Sequence, residues 1–115
     1  MITVYGLKNC DTCRNALKWL KAEGIEHTFV DVRADGINSE DVSSWMEAVG
    51  WETLLNRRGT TWRQLADTDK GNLDQPKAKT LMLEYPALIK RPVFVKGDRV
   101  VVGFKEPEKT ALKSL

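Results

Sequence analysis

The chain has 115 residues, which indicates one domain, because two separate cores within this length would each be marginally stable. Hydrophobic residues make up 42% of the sequence and charged residues 30%, a balance that supports a packed core and excludes a disordered chain. Eighteen Lys and Arg against sixteen Asp and Glu give a net charge of +2, too small a bias to indicate direct binding of nucleic acid.

The first part of the chain predicts a strand, a helix and a second strand. Residues 2–5 form a short β-prone run that Gly6 ends, and apolar residues then recur at helical spacing from Thr12 until Gly24. Residues 27–32 are rich in β-branched and aromatic side chains, which is typical of a strand. A helix between two strands makes a parallel β-α-β crossover the natural connection. We therefore expect an α/β sheet.

The middle of the chain, about residues 38–85, is predicted as a helical block. Gly50 ends its first helix, residues 51–55 add a further turn, and Pro86 stops its last helix. Each helix start is predicted at a polar residue that precedes apolar residues at helical spacing: Asn38 or Ser39, Thr60 or Thr61, and Asp74.

The last part of the chain predicts a β-hairpin and a final helix. Residues 93–95 and 99–102 are rich in valine, and Lys96-Gly97-Asp98 between them is typical of a tight turn. Residues 106–115 follow as a helix. Residues 1–115 are therefore predicted as one domain, with the helical block inserted between the second and third strands.

No apolar run reaches the roughly 18 residues that a membrane span needs. The sequence also begins without a basic stretch followed by an apolar signal region. We therefore expect a cytoplasmic location and no membrane partner.

The two cysteines, Cys10 and Cys13, lie between the first predicted strand and the first predicted helix. In a reducing compartment such a pair is more typical of catalysis or metal binding than of a structural bridge. Backbone N–H groups at a helix N-terminus stabilise a thiolate, and Lys8 or Arg14 can add positive charge nearby. We predict that Cys10 is a thiolate nucleophile and that Cys13 is placed to attack a mixed disulfide on Cys10.

Two other interpretations of the cysteine pair stay open. One is a structural disulfide or two inert thiols, although closing so short a loop would stabilise the fold by only about 2 kcal/mol. The other is half of a tetrahedral zinc site, but the sequence has no third cysteine and a single histidine, His27. We expect no bound metal and no bound cofactor.

Two basic clusters lie in predicted loops rather than on a helix face. Arg57 and Arg58 precede Gly59, and Arg91 precedes Pro92 at the start of the third strand. A planar guanidinium can hold a carboxylate or an oxyanion through two hydrogen bonds. Solvated surface charge explains any single one of these arginines equally well.

Four groups of residues form a more specific set: Tyr5-Gly6-x-x-x-Cys10-x-x-Cys13-Arg14-x-Ala16, Leu54-Leu55-Asn56-Arg57-Arg58-Gly59-Thr60, Pro86-x-Leu88-Ile89-x-Arg91-Pro92-Val93 and Val102-Gly103-Phe104. Together they resemble the thioredoxin-fold family that contains the glutaredoxin-coupled arsenate reductases and the Spx-type redox regulators. The resemblance covers nearly the whole chain. It implies a thioredoxin-like mixed four-stranded sheet with a helical insertion between the second and third strands.

The resemblance also implies roles for individual residues. Cys10 falls on the family's nucleophile, and Arg91 falls on an arginine that helps to bind the substrate anion. The bond between Arg91 and Pro92 is implied to be cis and to face Cys10. Arg58 matches the family's other loop arginine better than Arg57 does. The substrate-binding residues that we expect are Arg91, Arg58, Arg57, Pro92, Lys8 and Asn9.

Two features separate this chain from the arsenate reductases that it resembles. Those enzymes carry a third arginine just after the last strand, where this chain has Gly103-Phe104. They also act with one protein cysteine and external glutathione, whereas this chain has Cys13 where Spx-type proteins form a disulfide switch. The run Asn56-x-Arg-Gly-Thr-x-Trp62-Arg63 departs from the Spx pattern and resembles a third branch, proposed to be glutathione-dependent thiol reductases.

The resemblance to this third branch implies a thiol–disulfide oxidoreductase that acts through the Cys10 thiolate. Glutathione is its expected reductant or co-substrate, a protein disulfide is a further expected partner, and glutaredoxin is another candidate. Two alternatives stay open: an arsenate reductase, and an Spx-type redox-sensing regulator that binds RNA polymerase.

Overall fold

The computed structural model describes residues 1–115. Its elements are β1 Ile2–Gly6, α1 Asp11–Ala22, β2 His27–Asp31, α2 Ser39–Val49, α3 Trp51–Leu54, α4 Thr60–Gln64, α5 Asp67–Lys70, α6 Gln75–Glu84, a 3₁₀ turn Pro86–Leu88, β3 Val93–Lys96, β4 Arg99–Val102 and α7 Glu106–Lys113. The chain divides into two units, Met1–Gly36 with Arg91–Leu115, and Ile37–Lys90. None of the helices is both long and apolar enough to cross a membrane.

The first unit is built on a four-stranded sheet with the order β2-β1-β3-β4. Strand β1 pairs in parallel with β2 and antiparallel with β3, and β3 and β4 form an antiparallel hairpin. Helix α1 makes the crossover between the two parallel strands, as the sequence predicts. The predicted fold class, a thioredoxin-like mixed sheet, is confirmed.

The core of the first unit forms where the alternating face of β1 meets one face of α1. Strand β1 buries every second residue, and α1 buries residues at helical spacing. The buried cluster consists of Ile2, Val4, Ala16, Leu20, Phe94 and Leu112. Because Leu112 lies on α7 and Phe94 on β3, this cluster joins both ends of the sequence into one core.

Most predicted boundaries in the first unit agree with the structure to within one or two residues, and the last helix ends at Lys113 rather than at residue 115. Strand β1 includes Gly6, which pairs with Asp31 and is the last residue of the strand. Strand β2 ends at Asp31 rather than at residue 32. In the hairpin, Lys96 pairs with Arg99, which leaves a two-residue turn that starts with Gly97 at φ 61°, a conformation that favours glycine.

The second unit is helical, and side chains cap two of its helices as predicted. The Asn38 side chain accepts a hydrogen bond from Asp41 N–H at 2.8 Å, and the Asp74 side chain accepts one from Lys77 N–H at 2.9 Å. The predicted cap of α4 is wrong: Gly59 is the N-cap, and the helix begins at Thr60. Helix α5 and the 3₁₀ turn were not predicted.

The second unit extends to Lys90, beyond the predicted end of the insertion near residue 85. Backbone hydrogen bonds tie the segment after α6 to the end of α3. Asn56 N–H donates to the Leu88 carbonyl at 2.7 Å, and Lys90 N–H donates to the Leu54 carbonyl at 2.8 Å. That the two units form a single domain stays a prediction.

Candidate active site

The two cysteines lie at the start of α1. Cys10 is the N-cap residue, with φ −120° and ψ 118°, and Cys13 is the third residue of the helix. Both are free thiols; Cys10 is partly exposed, whereas the Cys13 residue is only 1% exposed. The predicted placement of Cys10 at a helix N-terminus is confirmed, at the residue position where a serine or aspartate usually caps a helix.

The surroundings of Cys10 favour its thiolate. Partial burial by itself raises the pKa of the Cys10 thiol, but hydrogen bonds from the Cys13 N–H, the Cys13 thiol and the Arg91 guanidinium outweigh it, so the pKa lies below its ordinary value of 9.0. The Cys10 side chain makes no capping bond of standard helix-cap geometry. Its stabilisation therefore comes from the combination of these three donors rather than from one ideal cap.

Cys13 has the opposite character. Burial, together with the nearby Cys10 sulfur, raises the pKa of the Cys13 thiol to about 12, although the Leu7 backbone and Arg91 act in the other direction. Gly6 gives Cys13 its space, because a β-carbon on Gly6 would lie 2.5 Å from the Cys13 sulfur. Cys13 is therefore a buried neutral thiol that can donate a hydrogen bond to the Cys10 thiolate.

The segment that leads into β3 brings Arg91 to the cysteines. The Arg91–Pro92 peptide bond is cis, as the family resemblance implied. Pro92 is buried, and its carbonyl accepts a hydrogen bond from Gly103 N–H at 2.9 Å. Gly103 has φ 97°, which favours glycine. The end of β4 thus holds the segment from which the Arg91 guanidinium reaches the Cys10 sulfur.

Lys8 and Asn9 lie in the exposed loop between β1 and α1, and their role in substrate binding stays a prediction. The Lys8 backbone is anchored by a residue that the sequence did not indicate: its N–H donates to Oδ2 of the buried Asp31 at 3.0 Å. An acidic residue directly after Phe29 and Val30, at the end of β2, was the available signal.

Arg57 and Arg58 lie in the second unit, between α3 and α4. The Arg57 guanidinium stacks over the Trp51 ring at 5.9 Å from its centroid, and Arg58 N–H donates to the Asn56 side chain at 3.0 Å. The structure therefore groups Cys10 and Cys13 with Arg91 in one unit. A role for Arg57 or Arg58 in substrate binding stays a prediction.

No group of three or more His, Cys, Asp or Glu side chains lies together in a way that could hold a metal ion. The donors around Cys10 are an N–H, a thiol and a guanidinium. Such donors stabilise an anionic sulfur, and a thiolate is the form of cysteine that attacks disulfides.

A family model and two protein sequences show what this chain is similar to. The model of the ArsC family matches residues 5–112. An uncharacterized protein of Haemophilus influenzae is 44% identical over 108 residues, which cover 94% of this chain and 95% of the relative. The global transcriptional regulator Spx of Enterococcus faecalis is 28% identical over 110 residues, which cover 94% of this chain and 83% of the regulator.

Two solved structures have the same fold. The YffB protein superposes with a TM-score of 0.91 at 43% identity and covers 96% of this chain and 97% of its own. An arsenate reductase (ArsC) related protein from Brucella melitensis has a TM-score of 0.78 at 41% identity, with 99% and 95% of the two chains covered. Fold and site together define a thioredoxin-fold protein of the thiol oxidoreductase type. The chain belongs to the ArsC family.

Proposed function

We propose that this chain is a glutathione-dependent thiol–disulfide oxidoreductase of the cytoplasm, with the Cys10 thiolate as its nucleophile. One observation carries the proposal: Cys10 is partly exposed at the start of α1, and three hydrogen-bond donors lower the pKa of its thiol. A partly exposed thiolate reacts with disulfides, whereas a buried thiol is inert. The cytoplasm would supply reduced glutathione and keep both cysteines reduced.

In the first step the Cys10 thiolate attacks one sulfur of a disulfide formed between glutathione and a protein thiol. A new bond forms between Cys10 and the glutathione sulfur, the old S–S bond breaks, and its electron pair leaves on the protein thiolate. The Arg91 guanidinium then loses the negative charge that it stabilised. We propose that it donates instead to a glutathione carboxylate, with Arg58 as a second carboxylate ligand.

In the second step the thiolate of another glutathione attacks the sulfur of the bound glutathione. Oxidised glutathione leaves, and Cys10 becomes a thiolate again. Cys13 is the internal alternative to this external thiol. Formation of the mixed disulfide removes the Cys10 charge that raises the pKa of Cys13, but the burial that also raises it remains. We therefore propose glutathione as the main resolving thiol, and glutaredoxin as a further candidate.

Serine variants of the two cysteines test these roles. Turnover is measured with a glutathionylated peptide, reduced glutathione, and a coupled reductase that removes the oxidised glutathione. Cys10→Ser is expected to abolish turnover, whereas Cys13→Ser keeps most of it because the external thiol resolves the intermediate. Turnover that survives Cys10→Ser would contradict the assignment of the nucleophile. Loss of turnover in Cys13→Ser as well as in Cys10→Ser would make Cys13 the resolving thiol.

Binding of glutathione by Arg91 is tested by comparing two disulfides. Arg91→Ala is expected to slow the reaction of Cys10 with oxidised glutathione more than its reaction with hydroxyethyl disulfide, which has no carboxylates. Loss of thiolate stabilisation alone would slow both reactions equally. Arg99→Ala is the matched control, because Arg99 is exposed and lies at the far end of the β3–β4 hairpin. Equal slowing of both disulfides by Arg91→Ala would remove the carboxylate contact.

A second candidate function is a redox switch that binds RNA polymerase. The hydrogen bond between the Cys13 and Cys10 side chains favours it, since two neighbouring cysteines can form an internal disulfide. A switch has no need of repeated turnover with glutathione. RNA polymerase captured by the immobilised chain, with no turnover in the coupled assay, would favour the switch over the oxidoreductase.

A further inference from the structure

Asp31, the last residue of β2, is the one charged residue among the buried residues of the chain, at 5% exposed. Its carboxylate accepts hydrogen bonds from three backbone N–H groups: Ala34 at 2.8 Å, Arg33 at 2.9 Å and Lys8 at 3.0 Å. A buried charge is tolerated only when such partners replace its water. The N–H groups of Ala34 and Lys8 hold the pKa of Asp31 below its usual 3.8, so it is ionised at neutral pH.

The three bonds do not have the same function. Arg33 and Ala34 belong to the turn that directly follows β2, so their bonds to Asp31 are local. Lys8 is 23 residues away in the sequence, in the loop that carries Cys10. Asp31 can reach this loop because it pairs with Gly6, the residue at which β1 ends and the loop begins.

The same loop is held from a second side. The Lys8 carbonyl accepts a hydrogen bond from Nη1 of Arg14 at 3.3 Å, and Arg14 also pairs with Asp11 in the first turn of α1. The peptide groups on either side of the Lys8 α-carbon are therefore both bonded to neighbouring elements. The Leu7 backbone, at the start of the loop, also forms a hydrogen bond to the Cys13 sulfur.

We propose that Asp31 is a positioning residue of the active site: its carboxylate holds the Lys8 backbone and thereby fixes the Cys10 sulfur against the Cys13 N–H and the Arg91 guanidinium. As far as it concerns reactivity, the inference rests on the proposed function, in which Cys10 is the nucleophile. Asp31 touches neither the cysteines nor a substrate in this role. It acts through the loop.

The test compares Asp31→Asn with Asp35→Asn. An asparagine at position 31 keeps the size of the side chain but replaces one acceptor oxygen with a donor, which conflicts with a backbone N–H of Lys8 or of the turn. Asp35 is the matched control. Asp35 lies in the same turn, and its Oδ2 accepts a hydrogen bond only from the Asp31 N–H, at 2.9 Å. Asp35→Asn removes the same negative charge as Asp31→Asn.

Two measurements are made on each variant. The rate of Cys10 alkylation against pH, in a Cys13→Ser background, reports the thiolate. Amide hydrogen exchange at Lys8, followed by NMR, reports the loop. We expect Asp31→Asn to move the midpoint of the alkylation rate profile to higher pH. On the acidic side of that midpoint the variant should be alkylated more slowly by about threefold or more, because only the thiolate reacts. Amide exchange at Lys8 should become faster. Asp35→Asn should do none of these.

The direction of the pH shift separates positioning from simple charge. Removing a nearby negative charge would by itself favour the thiolate and move the midpoint to lower pH. The proposal would be overturned if the midpoint of the Cys10 alkylation profile moves to lower pH in Asp31→Asn. It would also be overturned if Asp31→Asn and Asp35→Asn have the same alkylation profile and the same rate of Lys8 amide exchange.

A second pair of variants keeps the proposal testable if Asp31→Asn does not fold. Lys8→Pro removes the N–H donor from an exposed loop residue, and Lys8→Ala removes the same side chain but keeps the donor. Slower alkylation in Lys8→Pro than in Lys8→Ala supports the proposal, and equal rates overturn it. None of these readouts uses glutathione, so loss of the proposed function would appear separately, as absent turnover in the wild-type protein.

Discussion

Replacing Gly6 with alanine tests how closely Cys13 packs against the end of β1. Gly6 is buried, and an added β-carbon would lie 2.5 Å from the Cys13 sulfur and 3.4 Å from both the Cys13 β-carbon and Cε1 of Phe29. Nonbonded heavy atoms normally rest about 3.5–4.0 Å apart. The contact with the sulfur is therefore about 1 Å too short, whereas the other two contacts are close to ordinary.

The expected cost follows from these distances. Overpacking of a well-packed core typically costs about 1–3 kcal/mol. Alanine in place of glycine regains about 0.4–1 kcal/mol, because the unfolded chain has fewer conformations to lose. We therefore expect Gly6→Ala to lower the free energy of unfolding by about 1–2 kcal/mol. In a Cys13→Ala background the short contact is absent, and the same change should be neutral or slightly stabilising.

The assay is a double-mutant cycle measured by urea denaturation under reducing conditions. The four proteins are the wild type, Gly6→Ala, Cys13→Ala and the double variant. We expect the two substitutions to be coupled favourably by about 1 kcal/mol or more in the free energy of unfolding, since the effects of residues in direct contact do not add. An equal cost of Gly6→Ala in both backgrounds would show that the packing of Cys13 against Gly6 does not determine the effect.

Three further predictions concern the site. In the wild-type protein Cys10 should be alkylated faster than Cys13 near neutral pH, and Cys10→Ser should remove the fast phase of a stopped-flow trace. Arsenate reduction with glutathione and glutaredoxin should be weak in a steady-state assay, because Gly103 and Phe104 follow β4 where a third arginine would add a charge-assisted bond of about 1.5–3 kcal/mol. The pKa of Asp31 is lowered in the fold, so its carboxylate stabilises the protein at pH values above the usual pKa of 3.8. This contribution is lost as the pH falls through the folded-state pKa. Below pH 4 the free energy of unfolding of Asp31→Asn should therefore depend less steeply on pH than that of the wild type.

Elements with a clear local pattern were predictable from the sequence. The spacing of apolar residues in α1 and the β-branched residues of β1 and β2 placed these elements within one or two residues. Asp74, and Asn38 as one of two candidates with Ser39, were recognisable as caps because their short side chains satisfy N–H groups that any helix start exposes. The position of Cys10 at the start of α1 followed from the same local reasoning.

Short helices without such a pattern were not predictable. Helix α5 has four residues, too few to show a periodicity, and a helix of this length depends on its surroundings for stability. The cap of α4 was misplaced for a related reason. Thr60 and Thr61 are common capping residues, but the N-cap lies one residue before Thr60, at Gly59, where an extended backbone conformation suffices.

The sequence by itself therefore determined which elements form and where the reactive cysteine stands along them, because both depend on neighbours a few residues away. The family resemblance implied that the Arg91–Pro92 bond faces Cys10, but only the tertiary structure decided which groups form hydrogen bonds around that cysteine and its loop. The Arg91 guanidinium reaches Cys10 because β3 pairs with β1, and Lys8 meets Asp31 because Gly6 pairs with Asp31 in the adjacent strand. Contacts of this kind depend on strand order and register, which bring residues distant in sequence to one edge of the sheet and leave no local pattern to read.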